Sequence, residues 1–344
     1  MNINLKGSVM MSKKPTTITE IASLAGVSST TVSYYLNEKF NKMSTETRAR
    51  IQSAIASTGY VPSAQARVLN KKRTHVLSVL MLTSTNNWAA NFITGIEQVA
   101  ENNGYQTIVC NSNFSSDTEN MYVEKMLSLG VDGFIIQPTN QFKAIAERIN
   151  RVGTPVVFFD CNLFNFNNSW IKTDLYDGVY NSIKTCIDKG YTNFVTVLAE
   201  PDKRTRIERN SGFIDALTSH HYSYRSIHVE RPLPPTDELS KILISNIKDD
   251  EKTLFFVQNQ WALADVYKAL KPISHLIPDQ VGLLGINSTE WTSLTDPKVS
   301  TIVEPTLEEG ILACSFLIKL MENEDQEQKQ KILKCQTNWL ETTL

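Results

Sequence analysis

Apolar residues recur at helical spacing near the N-terminus and in a strand-then-helix rhythm along the rest of the chain. Ile18, Ile21, Ala22 and Ala25 share one face of a helix that opens at Thr17-Ile-Thr-Glu20, where Thr and Glu three residues apart form a capping box. Gly26 supplies a turn, Val27 points inward, and Ser28 caps a second helix over Ser29–Leu36 with Val32 and Leu36 at core spacing. Ser29, Thr30, Ser33 and Tyr34 are left on the other faces of that helix. A third helix begins at Ser44, carries Arg48, Ile51, Ile55 and Ala56, and ends at Gly59. Pro62 blocks its continuation and starts a short helix through Ala66 to Leu69, marginal in water by itself and able to order on a partner. Three short helices with Ala-Gly-Val at a tight turn read as a helix-turn-helix head.

The rhythm changes at His75. Strands are expected at Val76–Leu82, Gln106–Cys110, Gly133–Gln137 and Pro155–Phe159, alternating with helices at Phe92–Asn102, Asp117–Leu129 and Lys143–Arg151. It then restarts, with helices at Tyr176–Lys189, Arg206–Ser219, Thr236–Asn246 and Ala262–Leu270 between strands at Asn193–Ala199, Ser226–Val229, Thr253–Gln258 and Val281–Ile286. Near-continuous apolar strands between amphipathic helices predict parallel sheets covered on both faces. The fold class is therefore an α/β body of two doubly wound, parallel-sheet subdomains with a small all-α head. The expected units are a disordered leader (1–15, with a second candidate start at Met11), the head (16–61), a hinge helix and linker (62–74), one lobe of 75–172 plus 303–334, and another of 173–302 plus 335–344.

Charge sharpens the division. The 344 residues carry a net charge of −2, yet residues 1–73 hold 11 Lys/Arg and 3 Asp/Glu, a balance of +8, which leaves −10 on the remainder. A basic head on an acidic body is the footprint of a nucleic-acid reader attached to something else. No apolar run is long enough for a membrane helix, and the N-terminus lacks the pattern of a secretory signal. Five scattered cysteines without a CxxC pair fit free thiols in a reducing cytoplasm, the expected location. Catalytic fingerprints are missing: there is no GxGxxG after a strand, no P-loop, no HExxH and no GxSxG. His75, His220, His221, His228 and His275 are not in metal spacing. No enzyme, cofactor or metal is expected. A solute-binding protein would account for the body but not for the head.

The blocks Thr17-Ile-Thr-Glu-Ile-Ala, Ala25-Gly-Val-Ser, Thr31-Val-Ser, Leu36-Asn37, Ser44-Thr-Glu-Thr-Arg48 and Tyr60-Val-Pro…Ala66-Arg67…Leu69 together resemble the LacI family of bacterial regulators, over about residues 16–344. Further blocks, Ser33-Tyr-Tyr-Leu-Asn, Leu129-Gly-Val-Asp-Gly-Phe-Ile-Ile-Gln-Pro-Thr, Thr205-Arg-Ile-Glu-Arg, Ser288-Thr-Glu-Trp and Asn338-Trp-Leu-Glu, are similar to its RegR- and KdgR-type members, which govern use of uronates in low-GC Gram-positive bacteria. The resemblance implies a periplasmic-binding-protein-like body and a homodimer on a pseudo-palindromic double-stranded operator. It also implies a helix in the major groove and a hinge leucine wedged into the minor groove. The DNA-binding positions it marks are Thr17, Ser28, Ser29, Thr30, Thr31, Ser33 and Tyr34 in the head, with Ser63, Ala66 and Leu69 in the hinge. Tyr34 stands where most of the family has Arg. Arg reads guanine with two parallel bonds and Tyr cannot, so operator sequence does not transfer at that position.

Ligands of doubly wound sheets bind beyond the carboxyl ends of the strands. The segments there, including Asn86–Trp88, Gln137–Thr139, Asp160–Asn162, Glu200–Arg209, Gln258–Trp261 and Asn287–Trp291, are rich in Asn, Gln, Asp, Arg and Trp. Amides and carboxylates suit hydroxyls, and an aromatic ring suits a sugar face. The resemblance places effector contacts at Asp160, Arg209, Gln258 and Asn287, with Asn287 and Asn259 standing where the family commonly has Asp. With Arg206 beside Arg209 and Lys172 at the crossing between lobes, the expected cleft is cationic. That points to a sugar acid, because Arg pairs planar carboxylates, and the resemblance to KdgR-type members implies 2-keto-3-deoxygluconate or a related uronate. Gln137, Asp160 and Gln258 would then take hydroxyls, and Trp88 or Trp291 would cover an apolar face. A neutral sugar or sugar phosphate is the alternative. Leu69→Ala should weaken operator binding in a gel shift while effector binding survives; wild-type affinity in that variant would refute the hinge reading.

Overall fold

The computed structural model describes residues 16–36, 38–60, 73–140, 142–161, 168–201, 204–287, 290–322 and 329–343. The leader and the hinge positions Ser63, Ala66 and Leu69 lie outside them. Two compact units emerge, residues 1–74 and 75–344.

In the first, helices α1 (Ile18–Ala25), α2 (Ser29–Leu36) and α3 (Thr45–Thr58) enclose a core of Ile21, Ala22, Ala25, Val32, Ile51 and Ala54. So small a core leans on its helix ends. The Thr17–Glu20 capping box forms in both directions, at 3.3 and 2.7 Å. Ser28 accepts from the Thr31 amide at 3.1 Å, and Ser44 from the Thr47 amide at 3.2 Å. Gly26 takes the left-handed φ of 64° that the turn after α1 requires. One helical phase differs from expectation. On α3 the buried alanine is Ala54, three residues after Ile51, while Ala56 is exposed.

The body holds two six-stranded sheets. In the first, β11-β5-β4-β3-β1-β2, the strands are β1 (Val76–Met81), β2 (Gln106–Asn111), β3 (Gly133–Ile136), β4 (Val156–Phe159), β5 (Ser169–Asp174) and β11 (Gln330–Lys334). In the second, β12-β10-β9-β8-β6-β7, they are β6 (Asn193–Leu198), β7 (Tyr224–His228), β8 (Thr253–Val257), β9 (Val281–Ile286), β10 (Ser300–Val303) and β12 (Gln336–Asn338). Every pairing is parallel except β10 with β12. Between the strands run α4 (Asn87–Asn102), α5 (Ser116–Leu129), α6 (Phe142–Arg151), α7 (Leu175–Asp188), α8 (Arg204–Ser219), α9 (Thr236–Ile244), α10 (Gln260–Leu270), α11 (Glu290–Leu294) and α12 (Thr306–Met321). Each sheet is packed on both faces by apolar clusters, which explains the near-continuous hydrophobic strands.

The apolar rhythm missed β5, β10, β11, β12 and α12. β5 and β10 are buried yet spell Ser-Trp-Ile-Lys-Thr-Asp and Ser-Thr-Ile-Val, so hydroxyls and a lysine hide the strand signal. The missed elements make the junction. The chain passes from the first sheet to the second after β5, returns after β10 through α12, and crosses again between β11 and β12. α12 lies against α4 at a two-glycine contact. A Cβ on Gly310 would sit 2.1 Å from the Phe92 carbonyl oxygen, and one on Gly95 would sit 2.3 Å from that of Leu307. Backbone cannot retreat as a flexible side chain can. Gly310→Ala should therefore destabilise the body as overpacking does, by about 1–3 kcal/mol, lowering its Tm by at least about 3 °C. An unchanged melting curve would contradict the close approach.

Candidate functional site

Two surfaces carry candidate chemistry, one on each unit. On the head, Tyr35 and Leu36 pack onto the core, whereas Tyr34 is outside it. Tyr34 thus shares the outward side of α2 with Thr30, which is exposed, and with Ser29 and Ser33, which are partly buried. Tyr35 also meets Phe40 edge-on, and the Arg48 guanidinium lies 3.7 Å over that ring, which braces the segment between α2 and α3. Three of the predicted polar positions are already engaged. Ser28 and Thr31 pair through their hydroxyls at 2.9 Å, and the Thr17 hydroxyl serves the capping box. Their exposed positions at helix starts leave backbone amides and dipoles facing outward, a suitable setting for phosphate oxygens.

The second surface is the cleft between the lobes, built on strand ends. Gln137 follows β3 and Asp160 follows β4. The Gln137 side chain accepts from the Leu82 amide at 3.0 Å and donates to Asp160 Oδ2 at 2.7 Å. Asp160 has a φ of 54° and Asn287, after β9, a φ of 61°. Two non-glycine residues in left-handed backbone at facing strand ends indicate side chains whose placement is over-determined by their surroundings. Arg209, on α8, donates through Nε to the Thr205 carbonyl at 3.1 Å and through Nη1 to the Gln258 carbonyl at 2.5 Å. The Gln258 amide is spent on Thr196 and Asn210, at 2.9 and 3.0 Å. Trp88 stacks on Phe92 and Phe159, which gives the cleft an aromatic wall in the first lobe.

The sequence reading overlooked the residue that ties these together. Glu304 follows β10 on the second crossing. Its Oε1 accepts from Asn287 Nδ2 at 2.7 Å, its Oε2 from the Trp88 indole at 3.3 Å, and its own amide donates to Asn287 Oδ1 at 3.1 Å. Nothing in the local pattern marks it, because β10 itself was not recognised. Glu208 was passed over as well, although it adjoins Arg209.

These acids offset the expected positive charge of the cleft. Lys172 is no free cation: its ammonium lies 2.6 and 2.7 Å from the two Glu208 oxygens. Arg206 donates to the Glu200 carbonyl at 3.0 Å, fastening the loop after β6. Three carboxyl groups, Asp160, Glu208 and Glu304, thus face the basic Lys172, Arg206 and Arg209, and a fourth, Glu309 on α12, is buried beneath them. Burial, then the Glu304 charge, pushes the Asp160 carboxyl up to about 7 against the pull of Gln137 and Arg209. Burial also raises Glu304 although Arg209, Asn287 and Trp88 favour its charge, and burial lowers Arg209. Two further assignments change. Asn259 is buried with its Oδ1 on the Ala199 amide at 2.7 Å, so it joins two strand-end loops. Trp291 packs with Tyr267 at the edge of the second lobe's core, 5.7 Å between ring centres. Among the described residues no group of three or more His, Cys, Asp or Glu could hold a metal ion, and no helix is long and apolar enough to cross a membrane.

Comparison with known proteins divides the chain in the same way. Residues 17–63 match the family model described as bacterial regulatory proteins, lacI family. Residues 74–235 match periplasmic binding proteins and sugar binding domain of LacI family, and residues 183–342 match a periplasmic binding protein-like domain. The probable regulator EndR of Paenibacillus polymyxa is 27% identical, over 92% of this chain and 93% of its own. The regulator KdgR of Bacillus subtilis is 27% identical, over 90% and 92%. Among solved structures, the lac repressor dimer bound to operator and an anti-inducer superposes with a TM-score of 0.81 at 20% identity, over 96% of this chain and all of that one.

The Lys172–Glu208 pair offers a direct check, since its side chains are only 11% and 19% exposed. Lys172→Met strands an acid and should cost about 2 kcal/mol or more, whereas adding Glu208→Gln should restore most of the loss. Equal melting temperatures for the single and double variants would show that the pair is not coupled.

Proposed function

We propose, for a chain that belongs to the LacI family of DNA-binding transcription regulators, that it represses a carbohydrate-utilisation operon as a homodimer controlled by a hydroxyl-rich sugar in the cleft. The head supplies the operator contacts. Ser29, Thr30, Ser33 and Tyr34 on the outward side of α2 would meet base edges, and a dimer is required because one head reads half of a pseudo-palindrome. The strong positive balance of residues 1–73 supports phosphate contact.

The observation that carries the effector reading is the ring of carboxyl groups around Arg209. Ionised Asp160 and Glu304 can only accept hydrogen bonds, which a polyol donates and a free carboxylate does not. Gln137 and Asn287 hold the two acids in place, Arg209 offers its uncommitted N–H groups to a ring or carbonyl oxygen, and Trp88 covers an apolar face.

One observation favours a second reading. Among the described residues Arg209 bonds to backbone carbonyls alone, and no carboxylate comes within ion-pair range of it. A sugar acid such as 2-keto-3-deoxygluconate could place its carboxylate there if Asp160 took up a proton.

The two readings separate by sign. A neutral sugar that donates to ionised Asp160 binds more tightly as pH rises through about 7. An anionic sugar beside Asp160 binds more weakly over the same interval. Calorimetric titration from pH 6 to 8 with glucose, other neutral sugars, glucuronate and 2-keto-3-deoxygluconate distinguishes them. Arg209→Ala should weaken the true effector at least tenfold, about 1.4 kcal/mol, while sparing effector-free operator binding. Gel shifts with promoter fragments from neighbouring genes test the regulator itself. Its log affinity should fall against log salt with a slope of about −0.9 per phosphate neutralised. Failure to shift any such fragment counts against the operator reading, and failure of every sugar to bind counts against the cleft reading.

A further inference from the structure

The junction under the cleft holds a carboxyl group that neither surface uses. Glu309 lies in the first turn of α12 and is 1% exposed. Its Oε1 has no hydrogen-bond partner, and its Oε2 receives a long contact from the Thr173 hydroxyl at 3.4 Å; the nearby Asp160 amide is already bonded to the Ile171 carbonyl at 3.0 Å. An ionised carboxylate in such a place would forfeit its hydration with little compensation, a cost of several kcal/mol in order of magnitude.

Its surroundings supply no counter-charge. From the end of β4 the Asp160 charge acts on it and the Cys161 thiol lies within its field, and from the connector after β10 the Glu304 charge acts on it. From the third crossing it meets the Cys335 thiol, which burial holds neutral. β5 contributes Thr173, while the neighbouring Lys172 is committed to Glu208. Along α4, the side chains that share its core are Phe92 and Ile96, both apolar. With Lys172 and Glu208 cancelling, Arg209, with the Arg206 charge acting on it, is the nearest basic group to Asp160, Glu304 and Glu309. Three neighbouring acids around it approach neutrality only through retained protons.

We propose that Glu309 holds one of them as a permanent carboxylic acid and that this proton is a structural element of the lobe junction. All three crossings of the chain meet around it: Thr173 on the first, Glu309 on the second and Cys335 on the third. A negative charge here would repel Asp160 and Glu304 on the cleft floor and drive the crossings apart. The stability of the junction is thereby linked to pH. Burial and the two neighbouring acids raise the Glu309 carboxyl well above the ordinary range, in keeping with the geometry. Stability from the protonated form is full below the unfolded carboxylate range, near about 4.3, and is lost as pH rises toward the folded value.

The inference concerns the junction and needs neither operator nor sugar, so it stands or falls separately from the effector reading. The test is thermal unfolding of the full chain between pH 5.5 and 8.5 for wild type, Glu309→Gln and Glu309→Met. Near pH 5.5 the wild type and the glutamine variant should melt within a few degrees of each other. Toward pH 8.5 the wild type should fall behind both variants by about 3 °C for each pH unit over which Glu309 would ionise if unfolded. A difference that stays constant with pH overturns the proposal. So does failure of both neutral variants to fold, which would mean that the ionised form is required. Infrared difference spectra give an independent reading: the protonated-acid carbonyl component that Glu309→Gln removes should be present in wild type at pH 8.5.

Discussion

Glu304 is where the two sheets of the body are joined by side chains. Its carboxylate takes an indole N–H from Trp88 in one lobe and an amide N–H from Asn287 in the other, and its backbone amide returns a bond to Asn287. Hydrogen bonds to a charged group in a buried setting are worth roughly twice those between neutral groups. The residue also starts the connector that leads into α12, so any movement of one lobe against the other is felt here first. A ligand that competes for Trp88, Asn287 or Glu304 thereby exchanges bonds with the junction itself. That is the differential interaction a ligand-controlled change of arrangement needs.

The electrostatics follow from the same residue. Arg209 is surrounded by acids it does not touch, and its guanidinium is held by the carbonyls of Thr205 and Gln258. The acids are kept apart by amides, Gln137 on Asp160 and Asn287 on Glu304. Such a site stores its charge imbalance as retained protons, and it responds to whichever ligand group best replaces them. The head works on a different basis. With a handful of buried residues it depends on capping bonds and a braced loop, and it keeps the polar side of α2 for a partner.

Much of the fold was legible because its signals are local. Thr17 with Glu20, Ser28 before α2, Ser44 before α3, and Gly26 and Gly59 after their helices each mark an end by a side chain or a φ value that the neighbouring residues alone require. β3, β4, β6, β8 and β9 are apolar because both faces of each sheet are covered, so their positions show in the string of residues. The segments around Gln137, Asp160, Gln258 and Asn287 could be picked out because parallel strands deliver their following residues to one place, while the choice of Asp160, Arg209, Gln258 and Asn287 among them came from the resemblance to the LacI family.

What the chain order could not reveal was which of those residues meet. Lys172 and Arg206 count alike as positive charges in the sequence, but Lys172 is neutralised by Glu208, while Arg206 keeps its charge and also fastens a loop. Asn259 and Trp291 belong to the expected rim but are taken up by packing. Glu304 and Glu309 carry no local mark at all. Their importance comes from burial and from neighbours more than a hundred residues away, Trp88, Asp160 and Thr173. Periodicity, caps and charge blocks depend on covalent neighbours, so the sequence by itself determined the helical head, the two wound lobes and the strand ends that form a cleft. The balance of charge in that cleft, and the proton beneath it, depend on desolvation and on distances between segments remote in the chain, and only the tertiary structure decided them.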